Sequence, residues 1–426
     1  MKKLTISLIM IATLLSAFSC GAKKEDSSAD ASQPSTTEET TLESSTIETE
    51  ATTAAPKNYE HGDDGYYNIH DEIPDIEMKS QEGGTCWLFS AAHNMETAYA
   101  KKNGKSISID PMKLLEYPYS SGKEEGFIPQ EGADIINLGG WQWVVTQSLS
   151  NGFGDLTIDS SQILDASDRD ALKKALHERG GISIGVNDTD NSYKGWFGKY
   201  YTLNYKREEF DHDVTIIGYD DHFPKEYFTI PAEEDGAWIT YNSSFGSAGF
   251  FYVSYCAPLE NAISHTVTDK YSEVLAYDAG NEQDKFIKSG DSTTTANVFH
   301  KAGTLAAVGT YNDFDEQNIK IEVYDSTLTN VLYSQDAVLD FHGYHTIELD
   351  TPIDVTDYAV AITYSKGAPV EGETIDYGEV DYVTKSESGQ SFVKLDTWHD
   401  LTETGIEAKL SIDCKPGNCC IKALYQ

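Results

Sequence analysis

Basic residues are scarce. The 426-residue chain carries 31 Lys and Arg against 70 Asp and Glu, a net charge of −39. That balance excludes a nucleic-acid binder, which needs a basic footprint, and a protein lying flat on anionic lipid. It suits a solvated exterior. Long apolar runs are missing too. After the first twenty residues no segment is long and apolar enough to span a bilayer as a helix. No internal repeat is present. The cysteines, even in "CKPGNCC", lack the paired Cys-x-x-Cys spacing and nearby histidines of a zinc site, and no metal or cofactor is expected. Residues 24–57, "KEDSSADASQPSTTEETTLESSTIETEATTAAPK", contain no aromatic and no hydrophobic period. They cannot bury enough surface to fold, so residues 21–57 are expected to be a disordered tether.

What remains is enough for two or three domains and a sizeable core. The 26 tyrosines, among many Thr, Val and Ile, point to substantial β-structure. The first twenty residues read as an export signal: Lys2 and Lys3, an apolar run over residues 4–15, then small residues. "LLSAFSCG" resembles the bacterial lipoprotein lipobox, although Ala17 stands where leucine is usual and Phe18 is bulky. The resemblance implies lipidation of Cys20 and a chain anchored at the outer face of the cell membrane. A plain cleaved signal with release is the alternative.

In "MKSQEGGTCWLFSAAHNMETAYAKKNGK", Leu88, Ala91, Ala92, Met95, Ala98 and Tyr99 recur at helical steps. Lys101 and Lys102 fall in the last turn, and Gly104 offers a left-handed stop. Cys86 therefore opens a helix, where unpaired N–H groups and the dipole favour a thiolate. Two readings of it stand here: a small buried apolar residue and a nucleophile. A nucleophile needs a base and a group that orients the base. His212, in "EEFDHDVTIIGYDD", opens a β-rich run. Asn242, in "DGAWITYNSSFGSAGFFYVSY", ends a strand, where its carbonyl can accept from an imidazole N–H.

Cys86, His212 and Asn242, in that order, resemble the papain-like (C1) cysteine peptidases. "GTCWLFS", "DHDVTIIGYDD" and "GAWITYNSSFGSAGFFYVSY" are similar to the family's three signature blocks, and the likeness covers about residues 62–265. It implies that Gln81 donates to the oxyanion and that Gly139 and Gly140 line the substrate cleft. It implies a two-lobed peptidase domain over residues 58–268. "SDRDALKKALHERGGISIGVN" reads as a helix capped by Ser167 and then a strand. The sequence departs from the pattern in several places. Gln81 is one residue closer to the nucleophile than usual. Ser244, with Phe245 beside it, replaces the tryptophan that shields the His–Asn bond. Asp213 follows the histidine where a small residue is usual, and Gly83 replaces a disulfide cysteine. Too little folded sequence precedes the domain for a typical propeptide.

From about Asp269 the runs "NVFHKAGTLAAVGTYN", "NIKIEVYDST", "YHTIELDTPIDVTDYAVAITYS" and "SGQSFVKL" read as short strands of an antiparallel β-sandwich over residues 269–426. This half is similar to the lectin-like domain that follows a C1 peptidase in secreted proteins of anaerobic Gram-positive bacteria. Glycan binding by it is a hypothesis from fold analogy. As an accessory module it would leave the peptidase complete to about Lys270. The alternative is a shared strand, through "YSEVLAYD". Cys256, Cys414, Cys419 and Cys420 allow three pairings. A disulfide from Cys414 to Cys419 or Cys420 and free thiols both stand. The expected fold class is α+β. The expected function is hydrolysis of protein or peptide substrates through a Cys86–His212–Asn242 triad. An inactive scaffold for adhesion, and acyl transfer to an amine, are the alternatives.

Overall fold

The computed structural model describes residues 59–426 apart from 120–123, 189–193, 198, 245–249, 281–285, 289, 373, 411 and 413. Cys20, the tether and Phe245 lie outside the described residues. The architecture is α+β: a two-lobed N-terminal part, then an antiparallel, strand-rich C-terminal part.

The first lobe is built on the helix Cys86–Asn103, with Gly104 at φ +65° as its left-handed cap. Its apolar positions pack with the helix Gln142–Leu149 into one core around Trp87, Leu88, Met95, Trp143 and Val144. The helix is not amphipathic, as a one-faced apolar pattern would suggest. Every residue from Cys86 to Ala100 is buried. Its polar positions are bonded internally instead: Asn94 Nδ2 donates to the Ile263 carbonyl at 2.9 Å, and Ser90 Oγ to that of Val214 at 2.8 Å.

The second lobe is a largely antiparallel sheet, with one parallel pairing between Tyr200–Leu203 and Phe250–Ser254. Strand His212–Asp220 lies between Ile182–Val186 and Ala237–Tyr241, with Val186 opposite His212 and Thr215 opposite Tyr241. Ile184, Val186, Val214, Ile216 and Trp238 face one core, closed by Leu172 and Leu176 of the helix Arg169–Glu178. That helix is capped by Asp168 rather than Ser167. Asp168 Oδ1 accepts from Ala171 N at 3.0 Å. Ser167 turns back instead, donating through its N–H and hydroxyl to Asp165 Oδ1.

The C-terminal part differs from the expected set of short strands. Thr293–Asn312 and Gly343–Tyr364 are 20 and 22 residues long. Their mutual register shifts at His300/Gly303 and Leu305/Ala307. Such bulges bend and twist a strand, so one strand serves two neighbours. Its first half pairs Ser391–Lys394 and its second half Ile421–Tyr425.

The two parts share a core. Tyr311, Tyr344, Val380, Tyr382 and Cys420 belong to the same buried cluster as Trp87 and Trp143. They also share strand pairings: Gly126–Pro129 with Val380–Val383, and Ser160–Gln162 with Gly343–His345. At Gly343, with φ +135°, an added Cβ would come within 1.8 Å of the Ser161 carbonyl oxygen, so only glycine fits that crossing. The stretch "YSEVLAYD" is not the shared strand. Its Glu273–Leu275 pairs with Ala423–Tyr425, inside the C-terminal part. Cys414, Cys419 and Cys420 form no disulfide. Among the described residues no helix is long and apolar enough to cross a membrane.

Candidate active site

Strand ends and a helix start converge on one cleft between the lobes. Cys86 opens the long helix, and His212 opens its strand opposite Val186. Asn242 follows the strand Ala237–Tyr241. Cys86 and His212 line the same cleft, together with Gly139, Gly140, Trp141 and Glu260. His212 Nε2 lies 2.9 Å from Asn242 Oδ1. That bond uses Nε2 and leaves Nδ1 as the ring nitrogen for other chemistry. Asn242 is fully buried and its Oδ1 also accepts from Ser244 N at 2.9 Å.

Gln81 is held beside the helix start. Its Oε1 accepts from the hydroxyls of Ser243 at 2.7 Å and Ser244 at 3.3 Å, and its Nε2 donates to the Gly83 carbonyl at 2.9 Å. The backbone adds a bond from Gln81 N to the Ser243 carbonyl at 3.0 Å. The tight spacing between Gln81 and Cys86 thus ties the loop before the helix to the loop after Asn242. Ser244, at the position of the usual tryptophan, is exposed, and its hydroxyl lies 3.4 Å from His212 Nε2. Glycine at position 140 has a steric cause: a Cβ there would meet the Trp87 ring at 2.5 Å.

Asp213, where a small residue is usual, accepts from Gln142 Nε2 at 2.8 Å, and the same nitrogen donates to the Trp87 carbonyl at 3.0 Å. One amide therefore clamps the histidine strand to the cysteine helix. Across the cleft, burial and then Asp213 push the Glu260 carboxyl up to about 7. Beyond Phe210 and Glu260 the cleft continues into a groove of about 510 Å³ walled by Trp238 and Tyr255.

Sequence reasoning passed over Asp188, Lys194, Trp141 and Glu260. Asp188 Oδ2 accepts from Asn242 Nδ2 at 3.2 Å and lies 3.8 Å from His212 Nε2. Lys194 Nζ lies 3.2 Å from Asp188 Oδ1. Nothing in the polar run around Asp188 marks it out. Trp141 follows the cleft glycines directly, and that adjacency was a usable signal. Among the described residues no group of three or more His, Cys, Asp or Glu is arranged to hold a metal ion.

Residues 69–268 match the model of the papain family cysteine protease. They are a papain-family domain. Residues 275–425 match the model of the lectin like domain. Digestive cysteine proteinase 3 of Homarus americanus is 25% identical over 202 residues, 42% of this chain and 57% of that protein. Cathepsin S of Mus musculus is 27% identical over 184 residues, 39% of this chain and 51% of that protein. The chain thus spans little more than half the length of the curated relatives it matches. Among solved structures, a clostridial cysteine protease, Cwp84 after propeptide cleavage, superimposes with a TM-score of 0.68 at 19% identity, covering 84% of this chain and 98% of that one. A structure of the protease and lectin-like domains of Cwp84, a surface layer associated protein of Clostridium difficile, gives 0.66 at 18% identity, covering 84% and 88%. These two likenesses establish a shared fold that runs through both the papain-family domain and the lectin-like domain.

Proposed function

We propose that the chain is a cysteine endopeptidase working at the outer face of a bacterial cell. The observation that carries this is the His212–Asn242 bond beside Cys86 in one cleft of the papain-family domain. Asn242 holds Nε2, so Nδ1 serves the thiol. At the helix start the Cys86 thiolate and the His212 imidazolium support each other near neutral pH. The sulfur attacks a peptide carbonyl carbon and forms the C–S bond. The Cys86 backbone N–H and the second N–H of Gln81 Nε2 receive the oxyanion. As the C–N bond breaks, His212 gives its Nδ1 proton to the leaving amine. Water, deprotonated by His212, then attacks the thioester and releases the acid, restoring the thiolate. Gly140, half-buried on the cleft wall beside the buried Gly139, leaves room for an extended substrate.

The substrate class is protein or peptide, and no cofactor enters the mechanism. The lipobox-like stretch ending at Cys20 supports a lipid anchor, and the surface-associated protein that shares the fold supports the same location. Glycan binding through the lectin-like domain is part of this reading and rests on fold alone. A second reading, binding without turnover, has one observation in its favour. The exposed Ser244 hydroxyl competes for the imidazole that a tryptophan would shield.

Labelling with an epoxide-type thiol inhibitor and turnover of a small peptide test the two readings. The wild-type chain is expected to label at Cys86 and to hydrolyse the peptide. Cys86→Ala is expected to lose both, by about 10⁴-fold or more in rate, while keeping its fold. Turnover retained in that variant overturns the assignment. Labelling without turnover selects the scaffold.

A further inference from the structure

We infer that Asp188 is a positioning residue of the cleft: together with the Ser244 N–H on the amide oxygen, it fixes which end of the Asn242 amide faces His212, and its charge supports the imidazolium. The inference deepens the proposed peptidase reading and rests on it.

The two ends of an asparagine side chain have nearly the same shape, so packing alone does not choose between them. Asn242 is fully buried. Its oxygen must face His212 Nε2 for the 2.9 Å bond. On its other side stands a carboxylate, which only accepts. Asp188 Oδ2, 3.2 Å from Asn242 Nδ2, therefore admits only the N–H end. In the reversed state an N–H would face the ring N–H and an oxygen would face the carboxylate. Both contacts are repulsive in a buried site, where unmade bonds carry their full cost.

Asp188 is itself held in place. Its side chain is 8% exposed, and its backbone N–H donates to Asp211 Oδ1 at 2.8 Å. Lys194 reaches both the Asp188 carboxylate and its carbonyl oxygen. Several charged groups surround the imidazole. Cys86 comes from the long helix, and Asp211 and Asp213 flank His212 in the chain. Glu260 stands across the cleft, and Asp188 lies 3.8 Å away with Lys194 behind it. Asp188 and Lys194 thus act on the ring with opposite signs. A merely structural ion pair would be disturbed in the same sense by losing either partner.

The test is the pH dependence of Cys86 alkylation by iodoacetamide in the full chain, followed on the Cys86 peptide and referred to Cys86→Ala. The wild type is expected to react in two steps, with an alkaline step where the imidazolium loses its proton. Asp188→Asn keeps an acceptor and removes the charge, so the alkaline step is expected to fall by about one pH unit. Lys194→Met is expected to raise it. Asp188→Ala also removes the acceptor of Asn242 Nδ2, leaving the amide held only through its oxygen, and is expected to lower peptide turnover more than Asp188→Asn does. A two-step wild-type profile that both charge variants leave unchanged, or move in the same direction, overturns the inference and leaves the peptidase reading standing. A single wild-type step near the ordinary thiol value of about 8.5 overturns both.

Discussion

At the cleft, His212 sits 3.8 Å from Asp188, and Glu260 opens onto the groove beyond. At the seam between the two domains, Lys422 meets Asp278 with both side chains fully buried. Lys422 also donates to Asn151 Oδ1 of the papain-family domain at 2.7 Å. Beside this pair, Glu371 accepts from Ala279 N, Asn418 and Tyr382. The two regions use the same kinds of residue. They differ in access to water: His212 and Asp188 are nearly buried but border the cleft onto which Glu260 opens, whereas Lys422 and Asp278 are fully sealed. A charge beside an open cleft can change its protonation during a reaction. A charge sealed in a core cannot do so cheaply, and removing its partner leaves it uncompensated. The sealed Lys422–Asp278 pair lies within the C-terminal part and fixes the Lys422 ammonium where it reaches Asn151 across the seam, while groups bordering the cleft are placed for chemistry. Changes at the seam should move stability, and changes at the cleft should move turnover.

The largest expected effect comes from cutting the chain after Lys270. This removes Tyr311, Tyr344, Val380, Tyr382 and Cys420 from the core around Trp87 and Trp143. It also removes the strand partner of Gly126–Pro129 and one of the two strand partners of Ser160–Gln162. The truncated chain is expected to lose cooperative unfolding by circular dichroism and to aggregate through its bare edges. A folded, active fragment would break the comparison, because the seam would then be dispensable.

Lys422→Met comes next. It strands Asp278 in the core and is expected to cost about 3–5 kcal/mol of stability, read from the denaturant midpoint. Peptide turnover per folded molecule should stay at the wild-type level. A fall in turnover at unchanged stability would reverse the roles given to the two regions.

Asn242→Ala probes the cleft in the opposite sense. Asn242 orients His212 and takes no proton. Turnover is expected to fall about 100-fold, equivalent to about 2.7 kcal/mol of barrier, and less than in His212→Ala. A loss as complete as that of His212→Ala would mean Asn242 does more than orient.

The smallest effect is the most specific. Burial, then Asp278, push the Glu371 carboxyl up to about 8. Its folded value thus exceeds its unfolded one, so the folded state holds the extra proton between the two. The stability linked to that proton is fully present below the unfolded value, about 4.3. It is lost as pH rises towards about 8. Glu371→Gln stays neutral throughout. The Tm of the wild type relative to Glu371→Gln is expected to fall by a few degrees between pH 5 and pH 8. A constant difference across that range would show that Glu371 is already ionised in the fold.

The helix after Cys86, its stop at Gly104 and the strands at His212 and Asn242 were legible because they depend on near neighbours in the chain. Apolar spacing, a glycine able to turn left-handed and β-rich runs are local properties, and the three signature blocks supplied their order. The cap at Asp168 was misplaced by one residue because Ser167 and Asp168 both suit that position. Only geometry chose between them, once Asp165 had taken up Ser167. The long bent strands were read as short ones, since a bulge lets a single strand turn while its composition looks interrupted. Asp188 and Lys422 were beyond sequence reasoning altogether. Asp188 meets Asn242 from 54 residues away, and Lys422 meets Asp278 from 144. An aspartate in a polar loop looks solvated, and a lysine near a chain end looks the same. Whether such a charge faces water, a catalytic pair or a buried partner is decided when the sheet and the seam close around it, because burial is a property of the assembled core and not of the residue.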